Sequence, residues 1–139
     1  MIRFILDTGP AQQFINNRNG VRDRAEQELR RGNRVGICMP VLGELWSGVE
    51  CSQHRDMNLK KLQHGVSKLV NWPFDESAAK EFGRIFARLK SIGRPMQQID
   101  IQIASIAMSL GNSIVVTSDS DLLAIPGLQT DNWSAPRDP

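Results

Sequence analysis

The sequence predicts an α/β fold in three layers: a central, mostly parallel sheet of four to five strands, covered by helices on both faces. Two observations carry this prediction. Short, β-branched apolar runs recur along the chain, and longer segments of helical periodicity separate them. Strands that alternate with helices imply crossover connections and parallel pairing.

The runs "IRFIL" at 2–6, "RVGIC" at 34–38 and "SIVVT" at 113–117 read as strands buried on both faces. "LVNWPF" at 69–74 is a weaker strand, and "LQTDNW" at 128–133 reads as an edge strand. Between them, "DESAAKEFGRIFARLKSIG" places Ala78, Phe82, Ile85, Phe86 and Leu89 on one helical face. Asp75 suits its N-cap and Gly93 the position just past its end. A helix over 98–110 turns Ile99, Ile103, Ile106, Ala107 and Leu110 inward and stops at Gly111. Another starts at Pro40, a residue suited to a first helical turn, and carries Val41, Leu45 and Val49 inward. Segments 10–17, 21–32 and 54–68 also have a helical pattern. A chain of 139 residues suits one domain with a sizeable core, here residues 1–133, followed by a short tail at 134–139.

Composition narrows the classes of function. Charged residues make up 23% and hydrophobic ones 40%, which argues against disorder. No apolar run approaches the ~18 residues of a membrane helix. The opening "MIRFILDTGP" interrupts its apolar run with Arg3 and has no cleavage pattern, so no secretory leader is expected. Cys38 and Cys51 are the two cysteines, with neither metal-site nor redox spacing; reduced thiols in a cytoplasmic protein are the expectation.

The carboxylates fall in a pattern. Asp7 ends the first strand, and Asp119 and Asp121 follow the strand at 113–117, so both groups belong to the carboxyl edge of the sheet. In open α/β sheets that edge carries the ligand crevice. Glu44 lies one turn into the helix after the second strand, and Asp100 lies in the first turn of the helix over 98–110. Both sit in apolar surroundings, "PVLGELWSGV" and "QQIDIQIASIA", so neither has an obviously solvated face. Converging carboxylates repel and raise one another's pKa, and a divalent cation is the economical remedy. Oxygen ligands without converging His or Cys favour Mg²⁺ or Mn²⁺ over Zn²⁺. Taken singly, Asp7 and Asp119 read equally as turn or helix caps, Glu44 as the partner of an arginine, and Asp100 as an answer to its helix dipole. On residues alone, a shared metal site and separate local roles both stay open.

The same blocks resemble the PIN-domain ribonucleases, and among them the VapC toxins of bacterial toxin–antitoxin pairs. "FILDTGP" is similar to the family's apolar strand ending in Asp-Thr, and "GELWSG" to its Glu-Leu-x-x-Gly helix. "DIQIASIAMSLGNSIVVTSDSDL" resembles its Asp-x-x-Ile-Ala-x-x-Ala helix followed by Gly and the Val-Thr-x-Asp strand end, and "IPGLQTDNW" its closing Ile-Pro-Gly-Leu segment. The blocks keep the family's order from residue 2 to 133. The resemblance implies a PIN-like fold and an acidic metal-binding and catalytic site of Asp7, Glu44, Asp100 and Asp119, supported by the Thr117 hydroxyl. Asp121 is either a further supporting residue or a helix N-terminal charge. Gly9 and Leu122 depart from the family pattern, where Asn and an aromatic residue are common.

What the resemblance implies about function is a Mg²⁺-dependent endoribonuclease, with Mn²⁺ a second option, acting as the toxin of a type II pair. It would hydrolyse phosphodiesters of RNA, tRNA among the candidates, leaving 5′-phosphate and 3′-hydroxyl ends. It also implies a homodimer and a VapB-like antitoxin that blocks the acidic site, with segment 40–70 offering surface for either. An alternative within the family is an RNA-binding module with weak or no catalysis. Receiver domains need a lysine ending a late strand, and aspartate-nucleophile phosphatases need Asp-x-Asp after the first strand; this chain has neither.

Net charge is only +2, but setting aside the four proposed ligands leaves 17 cations against 11 acids. A cationic surface around an acidic pit suits a polyanion. Arg18, Arg22 and Arg24, beside the first strand's crevice, and Arg94, before the Asp100 helix, are candidates to hold RNA. "VRDRAEQELRRGNR" reads equally as a solvated helix face laced with i,i+4 pairs.

Overall fold

The computed structural model describes residues 1–134; residues 135–139, most of the expected tail, lie outside the described residues. Five strands form one sheet in the order β3-β2-β1-β4-β5, every neighbouring pair parallel. They are β1 (Arg3–Leu6), β2 (Arg34–Cys38), β3 (Val70–Trp72), β4 (Ser113–Val116) and β5 (Thr130–Asp131). The helices are α1 (Thr8–Ile15), α2 (Val21–Arg30), α3 (Met39–Glu50), α4 (Arg55–Val66), α5 (Glu76–Ser91), α6 (Gln98–Leu110) and α7 (Ser120–Leu123).

The strand order explains the layering. The first two crossovers step outward from β1 to β2 to β3, and the third returns past β1 to β4. Right-handed crossovers in opposite directions place their helices on opposite faces. The chain therefore reverses direction between β1 and β4, which is the topological switch point where α/β sheets open a crevice. Ile5 faces Gly36 on one side and Val115 on the other, and Ile5, Leu6, Ile37 and Val115 are fully buried. Continuous apolar strands are what a sheet covered on both faces requires.

Helix boundaries follow their local chemistry. Asp75 caps α5 by accepting from the Ala78 amide at 2.9 Å. Gly93, at φ +68°, ends it, and the Arg94 amide reaches back to the Leu89 carbonyl at 2.9 Å. That left-handed residue closes the helix end in the usual capping geometry. Gly111 closes α6 at φ +67°.

Two expectations about buried faces need correction. Phe86 is 48% exposed rather than buried with Ala78, Ile85 and Leu89, and Phe82 is half-buried. Helix α6 buries Ile101 and Ala104 beside Ile103, Ile106 and Ala107, whereas Ile99 and Leu110 are half-buried. A helix packed against the sheet, α3 and α5 has an inward surface wider than one stripe. Among the described residues no helix is long and apolar enough to cross a membrane.

Candidate active site

The site is assembled at the carboxyl ends of β1 and β4. Strand β1 runs one residue past its last ladder position, and the Asp7 amide donates to the Val116 carbonyl at 3.0 Å. Asp7 then caps α1, its Oδ1 accepting from the Thr8 amide at 2.8 Å. Its other oxygen, Oδ2, accepts from the Thr117 hydroxyl at 2.8 Å. Thr117 is buried at the end of β4, and its Oγ1 accepts from the Asp119 amide at 2.9 Å. One hydroxyl thus fixes Asp7 and Asp119 relative to each other. Asp119 caps the short α7 by accepting from the Asp121 amide at 2.9 Å. For Asp7 and Asp119, capping and convergence are therefore the same geometry rather than rival readings.

Helices bring in the remaining acids. Asp100, in the first turn of α6, is buried, and oxygens of Asp100, Asp119 and Asp121 lie within 4.8 Å of one another. Glu44, on α3, is exposed, contrary to the apolar setting of its sequence; the Thr8 hydroxyl holds its Oε1 at 2.5 Å. Asp121 has a second partner, Arg94, whose guanidinium donates to Oδ1 at 3.0 Å. Five acids thus face one crevice, three of them tightly grouped and two tied to its rim through Thr8 and Thr117.

Their electrostatics agree. Burial pushes the Asp100 carboxyl up to about 6, aided by the charges of Asp119, Asp7, Asp121 and Glu44 in that order. Burial also raises Asp7, and the Thr117 and Thr8 hydrogen bonds only partly oppose it. Cys38, buried at the end of β2, is pushed up to about 12 by burial first, so it is an inert thiol under the site. Burial first, and the neighbouring carboxylates second, favour the protonated form of Asp100. The donor set is all hard oxygen, which fits a hard divalent cation.

Residues 4–128 match the PIN domain family. The chain belongs to the PIN-domain family. It is 35% identical over 135 residues to the tRNA(fMet)-specific endonuclease VapC of Shigella flexneri, covering 96% of this chain and all of that one. Among solved structures it is similar to VapBC2 from Rickettsia felis bound to a promoter DNA fragment, at TM-score 0.87 and 27% identity over 95% of this chain and 99% of that one. It is also similar to DNA-bound VapBC from Salmonella typhimurium, at TM-score 0.86 and 30% identity over 96% and 99%.

Within this PIN domain the arginines divide by position. Arg94 stands at the acids. Arg22 is at the far end of α1, donating to the Phe14 carbonyl at 2.8 Å and the Ile15 carbonyl at 3.0 Å, with its guanidinium 5.5 Å from the Phe14 ring centroid. Arg24 is paired with Asp131 at 3.4 Å and with the buried Glu28 at 3.6 Å. Arg18 is exposed. Thr8 is a site residue that the sequence does not single out, and Asp121 is one whose role it leaves open. The Asp-Thr pair after β1 was the available signal for Thr8; the Arg94–Asp121 pair spans 27 residues and had none. Gly9 is exposed with open space around its α-carbon, and Leu122 is buried in the core.

Proposed function

We propose that this chain is a divalent-metal-dependent endoribonuclease and the toxin of a type II toxin–antitoxin pair. One PIN-like unit, residues 1–133, would carry the activity, working in the cytoplasm. The observation that supports the reading most is the grouping of Asp100, Asp119 and Asp121 within 4.8 Å, with Asp7 joined to Asp119 through Thr117.

In this reading Asp7, Asp100, Asp119 and Glu44 would hold Mg²⁺, or Mn²⁺ in its place, and Asp121, grouped with Asp100 and Asp119, would support them. When bound, the ion supplies Lewis acidity to the phosphodiester and the attacking water, and charge to the developing oxyanions. The residues supply placement. Thr117 holds Asp7 and the Asp119 backbone at fixed separation. Glu44, exposed and steadied by Thr8, is free to orient water and accept its proton. Water's oxygen bonds to phosphorus as the bond to the 3′ oxygen breaks, which leaves 5′-phosphate and 3′-hydroxyl ends. Arg94 is the arginine best placed to meet the RNA backbone; Arg18 and Arg22 would reach only flanking strands.

The partners follow from the same reading. A VapB-like antitoxin would cover the acids, and a groove of about 220 Å³ between α1, α3 and α4, lined by Gln12, Ile15, Asn16, Leu45 and Leu62, gives its chain a seat. The protein would act as a homodimer. The deciding experiment incubates purified protein with structured RNAs, initiator tRNA first, in Mg²⁺ or Mn²⁺ and then with EDTA. Cleavage should require the metal and vanish in Asp7→Asn with the fold retained. Equal cleavage by Asp7→Asn would overturn the assignment.

A further inference from the structure

A second concavity adjoins the acids, and apart from Arg94 its lining has no part in the chemistry above. It is a cleft of about 340 Å³ where the end of α5, the α5–α6 connection and the start of α6 meet. Phe86, Leu89, Met96 and Ile101 form its apolar walls, and Lys90 and Arg94 line it beside them. One peptide bond and one ion pair tie it to the site. Ile101 follows Asp100 directly, and Arg94 both lines the cleft and donates to Asp121.

Phe86 is unusual among its walls. Its ring stacks on Phe82 with centroids 6.3 Å apart and planes at 13°, and Phe82 in turn meets Phe74 edge-on at 6.2 Å. The ring thus lies parallel to that of Phe82, and 48% of the residue remains exposed. A partly exposed aromatic ring in an apolar cleft, with cations in its lining and carboxylates next door, combines the features that unpaired nucleotides need. A base has a π-face for the ring and a polyanionic backbone for the cations. A guanidinium carries five N–H donors, and the Asp121 bond uses one.

We infer that the Phe86–Met96 cleft is a base subsite, taking one unpaired nucleobase of the RNA strand whose neighbouring phosphate lies at the acids. The inference rests on the ribonuclease reading for its ligand, and it adds a source of substrate selectivity. RNA with a splayed base next to the scissile bond would fill the cleft; continuous duplex would not.

Binding tests it without requiring turnover. In an Asp7→Asn background, so that RNA survives, affinities are measured with Mg²⁺ present for a short single-stranded RNA. A set of the same RNA with one abasic residue walked along it is measured beside it. The expected result is one position, or an adjacent pair, at which base removal weakens binding by about 5- to 150-fold, the range of one base on one aromatic ring. Adding Phe86→Ala, which removes a half-exposed ring, or Met96→Trp, which fills the cleft, should abolish that position-dependence and lower affinity for the intact RNA to the abasic level. The inference is overturned if no position stands out, or if the sensitive position survives both substitutions. It is also overturned if the two variants change the sedimenting mass and leave RNA affinity alone, since the face would then join two copies of the chain. Absence of cleavage by the unsubstituted protein would instead count against the nuclease reading, and position-dependent binding would stand.

Discussion

The Thr117 hydroxyl donates to Asp7 Oδ2 at 2.8 Å while its oxygen accepts from the Asp119 amide at 2.9 Å, so one buried side chain spaces the ends of two strands. Valine matches threonine in shape but has no hydroxyl. Thr117→Val should therefore leave the fold intact and release Asp7, lowering metal affinity or RNA cleavage by about 10- to 100-fold, as for other groups that orient metal ligands. Thr117→Ser should restore most of it. Calorimetric Mn²⁺ titration and a cleavage time course read the effect; parity between Thr117→Val and the parent would remove Thr117 from the machinery.

Metal-free stability should fall as pH rises across the range where Asp100 titrates. Its carboxyl moves from 3.8 up to about 6 on folding, first because it is buried. The folded state thus keeps a proton that the unfolded chain releases. Stability from this group is full below about pH 3.8 and is lost as pH passes through about 6. With EDTA, Tm should be lower at about pH 7.5 than at about pH 5.5, and Asp100→Asn should flatten the slope. Mg²⁺ should raise Tm strongly at the higher pH and little at the lower, because the ligands must be ionised to bind it. Scanning fluorimetry over this range decides it; a metal-free Tm that climbs with pH would contradict the crowded-carboxylate account.

Much of this was written locally in the chain. Strands β1, β2 and β4 are apolar on both faces because the sheet is covered on both sides, and such runs are visible without coordinates. Asp7 and Asp119 are legible for a related reason: each ends a buried strand, and parallel pairing sends both ends to one edge. What stayed hidden depends on packing between distant segments. Periodicity assigns Phe86 to the apolar face of α5, yet whether that stripe meets a layer or solvent depends on where α6 crosses it. Glu44 reads as enclosed because its sequence neighbours are apolar, but its own side chain points outward. Asp121 gains Arg94 only through the turn that Gly93 allows. Edge strand β5 shrinks to two residues because it pairs with β4 only at Thr130 and Asp131.

Two glycines should respond oppositely to alanine. Gly36 pairs with Val70 in the β2–β3 ladder, and a Cβ there would collide with the Val70 carbonyl and come within 2.9 Å of the Trp72 ring. Neither neighbour can yield without moving β3, so Gly36→Ala should cost about 1–3 kcal/mol. A Cβ at Gly83, exposed on α5, would meet nothing within 4 Å, and Gly83→Ala should stabilise by about 0.5–1 kcal/mol. Urea unfolding at constant m-value measures both. A neutral Gly36→Ala would mean that β3 is not held against β2 as described.

Glu28 separates stability from chemistry. It lies on α2 in a stretch whose charges suggest a solvated face, yet it is 3% exposed. Its Oε2 accepts from Asn33 Nδ2 at 2.8 Å and its Oε1 from Arg31 at 2.9 Å, with Arg24 at 3.6 Å. Asn33 passes the connection on, its Oδ1 accepting from the Ile2 amide at 2.9 Å. The carboxylate therefore pins the starts of β1 and β2, at the opposite edge of the sheet from Asp7. Glu28→Ala should cost about 1.5–3 kcal/mol, the range for hydrogen bonds to a charged group. The full penalty of a broken buried ion pair is not expected, because Arg31 is 60% exposed on its side chain and regains water. Glu28→Gln, which keeps one acceptor for Asn33, should lose about half as much. Both variants should cleave RNA at the parental rate well below their melting temperatures. A rate loss equal to that of Thr117→Val would show that the strand starts and the acidic edge are coupled more tightly than this geometry implies.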